Sequence, residues 1–182
     1  MTKSRLTKIT TRAGDKGTTK LATGKTIKKS SAVVTTMGSI DELNSHIGVL
    51  LAHCPPQHQS DLKQIQQDLF DMGAVFAMEG EFNAPDLAAI EAQTETLNAT
   101  LPPLTEFVLP GGGPAASFSH VCRSVCRRAE SETWRYLESL DTTPKASQQC
   151  AQYLNRLSDY FFVLARSLTQ NPEEQWQGPH KV

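Results

Sequence analysis

Apolar residues recur every third or fourth position from about residue 40 to residue 168, the spacing that lines one face of a helix. Ser39 followed by Glu42 reads as a capping box, and Ile40, Leu43, Ile47 and Leu50 keep helical spacing until Pro55 and Pro56 stop the run. A second helix is predicted over about 60–78, with Leu62, Ile65, Leu69, Met72 and Phe76 on one face and Gly80 just past its end. Pro85 suits the start of a third, which carries Leu87, Ile90, Thr94, Leu97 and Leu101 before Pro102 and Pro103 close it. The stretch "LTEFVLPGGGPAAS" turns sharply at its glycines, and Pro114 opens a long helix to about residue 140 that buries Phe118, Val121, Cys122, Val125, Ala129 and Leu137. The last helix, about 147–168, buries Ala151, Leu154, Leu157, Phe161, Leu164 and Leu168. Five helices with short connections predict an all-α, up-and-down five-helix bundle. The expected layout is one domain over 1–182: an N-terminal arm (1–38), the bundle (39–170) and a loosely attached tail (171–182), with no internal repeat.

A chain of 182 residues is long enough to bury a substantial core. Its formal net charge of -1 argues against a general nucleic-acid or anionic-membrane binder while permitting a local basic pocket. No apolar stretch is long enough to span a bilayer, and the first residues lack the apolar core of a secretory signal, so a cytoplasmic protein is expected. Cys54, Cys122, Cys126 and Cys150 include no CxxC pair, and the five histidines form no metal-ligand spacing; both sets read as structural or surface residues, and no protein metal ligands are predicted.

The arm contains "TRAGDKGTTKLATGKT". Its closing Gly24, Lys25 and Thr26 imitate a P-loop, but the position a Walker A glycine needs is Thr19, and a helical pattern follows where a βαβ unit would be required. What remains is an anion-binding composition. Gly14 and Gly17 permit close backbone approach, Thr11, Thr18 and Thr19 offer hydroxyls, and Arg12, Lys16 and Lys20 offer charge. A flexible, solvated arm accounts for the same composition.

Two polar stripes lie beside the core. Arg123, Arg127 and Glu130 stand at i, i+4 and i+7 on the fourth helix, with Arg128 alongside; Asn155, Asp159, Phe162 and Arg166 form a similar line on the fifth. Either is explained by a solvated, salt-bridged face. Together with the arm they make a set that fits a polyphosphate and a ribose, because guanidinium presents forked donors to phosphate oxygens.

The blocks "TRAGDKGTT", "GSIDELNSHIG", "QQDLFDMGA", "FVLPGGG", "HVCRSVCRRAE" and "YLNRLSDYFFVLAR" occur in the order seen in the PduO-type ATP:cob(I)alamin adenosyltransferases, which the chain resembles from Thr11 to Arg166. The resemblance implies a homotrimer of five-helix bundles with ATP and the corrinoid bound where subunits meet, and transfer of the 5′-deoxyadenosyl group from ATP to cob(I)alamin or a related corrinoid. It implies that Thr11, Arg12, Gly14, Asp15, Lys16, Gly17, Thr18 and Thr19 wrap the triphosphate and its Mg2+, with Lys29 a further phosphate contact. Arg127, Glu130 and Asn155 would complete the nucleotide site. Asp41 would pair with Arg123 of the adjacent subunit near the corrin, and Phe107 and Phe162 would wall its lower face. A corrinoid reductase and an adenosylcobalamin-dependent enzyme are the partners this activity implies.

Some positions depart from the family pattern. Val33 and Thr35 stand where an arginine and a glutamate are common, Ser131 where a further arginine is common, and Ala13 where threonine is usual. Two lost cationic contacts are worth roughly 1.5–3 kcal/mol each where they make charged hydrogen bonds, and Lys20, Lys25 and Lys28 are candidates to compensate. Two other classes of function fit the pattern: a catalytically weak trimer that binds or hands over adenosylated corrinoid, and an ATP-sensing bundle that binds no corrinoid. The retained Asp41, Phe107, Arg123, Arg127, Glu130 and Asn155 favour the enzyme.

Overall fold

The computed structural model describes residues 10–80, 82–170 and 172–179. Among them are five α-helices: α1 (Ala32–Leu51), α2 (Gln59–Ala77), α3 (Leu87–Asn98), α4 (Pro114–Glu138) and α5 (Lys145–Leu168). One 3₁₀ turn, Pro56–His58, joins α1 to α2. Before the helices comes a short antiparallel hairpin, β1 (Thr18–Lys20) and β2 (Thr26–Lys28), with Thr19 opposite Ile27. The two short strands of the arm add a small sheet to the expected all-α fold. The arm folds as a hairpin because its turn residues, closing at Gly24 (φ +87°), return the chain onto itself.

Helix α5 packs against α4, α3 and α2, while α1 packs against α4 and α2. Its apolar positions Ala151, Leu154, Leu157, Phe161 and Leu164 are fully buried, and each large one contributes about 1.5–3 kcal/mol. Buried polar groups fix the register. Ser119 Oγ donates to the Phe161 carbonyl (2.8 Å) and Cys126 Sγ to the Leu154 carbonyl (3.1 Å), so α4 and α5 run antiparallel. Thr36 Oγ1 donates to the Glu132 carbonyl (3.1 Å) and Arg128 pairs with Glu42 (2.5 Å), which sets α1 antiparallel to α4. Asn44 and Gln66 exchange reciprocal side-chain to backbone bonds of 3.1 and 3.2 Å between α1 and α2.

Three expectations change. The capping box at Ser39 is not a cap: α1 starts at Ala32, Ser39 is buried mid-helix, and Ser31 occupies the extended N-cap position. The apolar stripe continues backwards through Thr36 and Val33, and their burial outweighs the modest helix propensity of the β-branched run 33–36. Helix α3 begins two residues after Pro85, where Asp86 accepts hydrogen bonds from the Ala88 and Ala89 amides (3.0 and 3.4 Å); Leu101 falls beyond its end. Val121, expected inside, is 38 % exposed.

Helix α2 ends in a Schellman motif in which Gly80 donates its N–H to the Val75 carbonyl at 2.8 Å. The left-handed residue before it is Glu79 (φ 53°), whose side chain makes a 2.8 Å ion pair with Lys25 between the hairpin and the bundle. Gly80 also has positive φ (+92°), and a Cβ there would stand 2.6 Å from Pro144 Cβ. Gly80→Ala is therefore expected to destabilise the protein by roughly 1–3 kcal/mol, measured as a lowered urea midpoint; an unchanged midpoint would contradict the tight α2–α5 corner.

Candidate nucleotide and corrinoid site

The loop ahead of β1 is built by short backbone bonds. Gly17 donates to the Gly14 carbonyl (3.1 Å), and Lys29 donates back to the Gly17 carbonyl (2.9 Å), closing the base of the hairpin. The Lys29 side chain lies over Gly14 so closely that a Cβ would meet its Nζ at 2.7 Å. Thr11, Gly14, Thr18, Thr19 and Lys29 line a single cavity of about 380 Å³, together with Ala13, Lys20 and Thr26. Five of the expected contacts are thus brought together. Arg12 (φ 57°), Asp15, Lys16 and Gly17 sit on the same exposed loop without lining the cavity.

The second group lies on α4 and α5. Asn155 Nδ2 donates to Glu130 Oε1 at 3.2 Å, and Arg156 donates to Asn155 Oδ1 from the other side. The amide is thereby oriented with its donor toward the carboxylate. Arg127 is exposed and makes no side-chain hydrogen bond or ion pair among the described residues. One turn away Arg123 is half-buried, its Nε without a partner; burial and the neighbouring Arg127 hold its guanidinium below the usual range. Two adjacent arginines without a carboxylate partner make an anion-seeking surface. No hydrogen bond or ion pair joins this group to the arm among the described residues. Asp41 is exposed on α1 and pairs with no cation among the described residues.

The aromatic residues have separate partners. Phe162 is half-buried on α5 with its ring 6.3 Å from His120, whereas Phe107 is 75 % exposed, with its ring 6.1 Å from Trp176. Phe107 and Phe162 form no direct ring pair. The described part of the tail, expected to be loose, is docked: Leu109 donates to the Glu174 carbonyl and Trp176 to the Phe107 carbonyl, both at 2.8 Å. Arg166, read from sequence as part of a polar stripe, is a buried clamp instead. Its Nε donates to Glu173 Oε1 (2.8 Å) and its Nη2 to the Pro102 carbonyl (2.8 Å).

A family model described as cobalamin adenosyltransferase matches residues 9–168. The chain belongs to the cobalamin adenosyltransferase family. It is 45 % identical to a cobalamin adenosyltransferase of Cupriavidus metallidurans over 92 % of this chain and 91 % of that one. It is 39 % identical to a corrinoid adenosyltransferase of Mycobacterium leprae over 94 % of this chain and 96 % of the other. It also superposes with a TM-score of 0.83, at 30 % identity, on a variant PduO-type ATP:corrinoid adenosyltransferase from Lactobacillus reuteri complexed with cobalamin and ATP; 94 % of this chain and all of that one are covered.

Against the cobalamin adenosyltransferase pattern, the departures have distinct structural settings. Val33 is packed in the core, Thr35 is exposed with its hydroxyl donating to the Ser31 carbonyl (3.4 Å), and Ser131 is exposed. Lys25 pairs with Glu79 and does not line the arm cavity, whereas Lys20 lines it. The four thiols are buried, with Cys122 and Cys150 pushed up to about 12 by that burial, which makes them inert. Sequence reasoning missed Thr26, His120, Glu173 and Trp176; only the position of His120 at the head of the "HVCRSVCRRAE" block hinted at a role.

His120 is buried with its Nδ1 unpartnered, beside Phe162 and Arg123. Burial and Arg123 lower its affinity for a proton, and Glu173 opposes them only weakly. The unfolded chain then binds more protons, so stability is complete above the ordinary value of 6.5 and falls as pH drops below it. Lowering the pH from 7.5 to 5.5 is expected to reduce the urea midpoint of the parent protein more than that of His120→Gln; parallel losses in the two proteins would contradict a neutral buried imidazole.

Proposed function

We propose that this protein transfers the 5′-deoxyadenosyl group of ATP to the cobalt of cob(I)alamin or a related reduced corrinoid, yielding adenosylcobalamin and triphosphate. The observation that carries the reading is the unneutralised Arg123–Arg127 pair beside the oriented Glu130–Asn155 couple, in a member of this family. The cobalt electron pair forms the Co–C bond at C5′, the C5′–O bond breaks, and its electrons leave with triphosphate. No covalent enzyme intermediate is required.

Within that reaction, Thr11, Arg12, Gly14, Asp15, Lys16, Gly17, Thr18, Thr19 and Lys29 grip the triphosphate through amides, hydroxyls and ammonium groups. Arg127 stabilises charge growing on the leaving oxygen, while Glu130 and Asn155 hold the nucleoside so that C5′ faces cobalt. No group of three acidic, histidine or cysteine side chains among the described residues forms a metal cage. Asp15, the carboxylate of the arm loop, would hold Mg2+ brought in with ATP, and the ion would neutralise phosphate charge.

Among the described residues no hydrogen bond or ion pair joins the arm to the α4–α5 group, which supports an arrangement in which one subunit's arm meets the helices of the next. We place the active sites between the subunits of a homotrimer, where the free Asp41 pairs with the partner subunit's Arg123. The exposed Val49 and Val121 supply apolar surface for that contact. Phe107 occupies the lower face of the corrin and displaces its axial ligand, which eases reduction of Co(II) to Co(I) by a corrinoid reductase. The product passes to an adenosylcobalamin-dependent enzyme. No helix among the described residues is long and apolar enough to cross a membrane, and the need for ATP and a reductant favours the cytoplasm.

Arg127→Ala is expected to lower ATP-dependent consumption of cob(I)alamin about a hundredfold or more with the oligomer intact by sedimentation; unchanged turnover would remove Arg127 from the site. Phe107→Ala is expected to reduce turnover from cob(II)alamin plus a reduced flavin far more than turnover from cob(I)alamin. Equal losses on the two routes would contradict the axial-ligand role.

A further inference from the structure

Phe107 is the most exposed of the large apolar side chains among the described residues, and the one aromatic ring recorded against it there is that of Trp176. The surroundings of Phe107 come from the other end of the chain. Residues 174–176 run antiparallel to 107–109, with Val108 bridged to Gln175, and Gln175 Nε2 donates to Thr105 Oγ1 at 2.8 Å. The Trp176 ring stands against Phe107 at 59°. Both segments are tied to one buried group: the Arg166 side chain, 4 % exposed, holds Glu173 on the tail and the Pro102 carbonyl at the start of the Phe107 loop. The turn between the loop and α4 is equally close to the tail. Gln170 donates to the Gly112 carbonyl (3.1 Å), and a Cβ on Gly112 would stand 2.6 Å from Thr169 Oγ1.

We propose that this C-terminal strap, locked by the Arg166–Glu173 ion pair, is the device that positions Phe107, and that Trp176 is the positioning residue for its ring. The inference rests on the role given to Phe107 above and adds what that role requires. A side chain that must exclude an axial ligand has to be held in one place, and a loop without regular structure does not hold itself. A buried guanidinium bonded at once to a carboxylate on the tail and a carbonyl on the loop ties the two segments to helix α5, in addition to the backbone bonds they make with each other. Breaking the pair frees the strap, and with it Phe107, while leaving the residues assigned to ATP in place.

The test compares Glu173→Gln, Trp176→Ala and Trp176→Phe with Phe107→Ala in the full chain. Two readouts are used: turnover from cob(II)alamin with a reduced flavin as one-electron donor against turnover from cob(I)alamin, and hydrogen exchange of the Leu109 amide without ligands. Glu173→Gln and Trp176→Ala are expected to lose about tenfold on the Co(II) route and little on the Co(I) route, with Trp176→Phe restoring most of the loss. Leu109 exchange is expected to quicken about tenfold in Glu173→Gln. Equal losses on both routes, or none while Phe107→Ala remains selective, would overturn the positioning role. If Phe107→Ala itself fails to separate the routes, the assignment of Phe107 falls instead, and unchanged Leu109 exchange in Glu173→Gln would overturn the strap independently.

Discussion

Helices α4 and α5 are locked together by two buried hydrogen bonds, from Ser119 Oγ to the Phe161 carbonyl and from Cys126 Sγ to the Leu154 carbonyl. Each satisfies a donor that would otherwise be stranded in the core, so sliding one helix against the other carries a desolvation cost as well as lost packing. That register puts Asn155 opposite Glu130 and Phe162 beside His120, and it carries Arg166 to the Pro102 carbonyl. The α4–α5 part of the candidate site is thus an outcome of core packing, built on rigid elements.

The electrostatics follow the same logic. Glu42 neutralises Arg128, Glu132 neutralises Arg135 and Glu79 neutralises Lys25, whereas Arg123 and Arg127 face each other's charge with no carboxylate partner among the described residues. Two adjacent guanidinium groups repel unless an anion or a neighbouring subunit's carboxylate relieves them. In the assembly proposed above, a polyphosphate leaving group and the partner subunit's Asp41 would supply both.

Much of this was legible in the sequence. Helices α2, α4 and α5 announce themselves by period, and Glu130 and Asn155 by their place in polar stripes beside the core. The start of α1 was hidden because Ser39 and Glu42 imitate a cap and because residues 33–36 are β-branched; only tertiary burial makes that run helical. Periodicity also cannot distinguish a solvated arginine from a buried one, so Arg166 was grouped with Asp159, although the first clamps the tail and the second faces water. The strap itself has no apolar period at all. Its order comes from backbone bonds to a loop sixty-odd residues away, a pairing that composition does not encode.

The most direct measurement is anaerobic: purified protein mixed with chemically reduced cob(I)alamin and magnesium-ATP, following Co(I) absorbance while quantifying adenosylcobalamin and the phosphate products. Adenosyl transfer requires one adenosylcobalamin and one intact triphosphate for each Co(I) consumed. Stable Co(I) with both ligands bound, or release of ADP and phosphate without a Co–C bond, would contradict it.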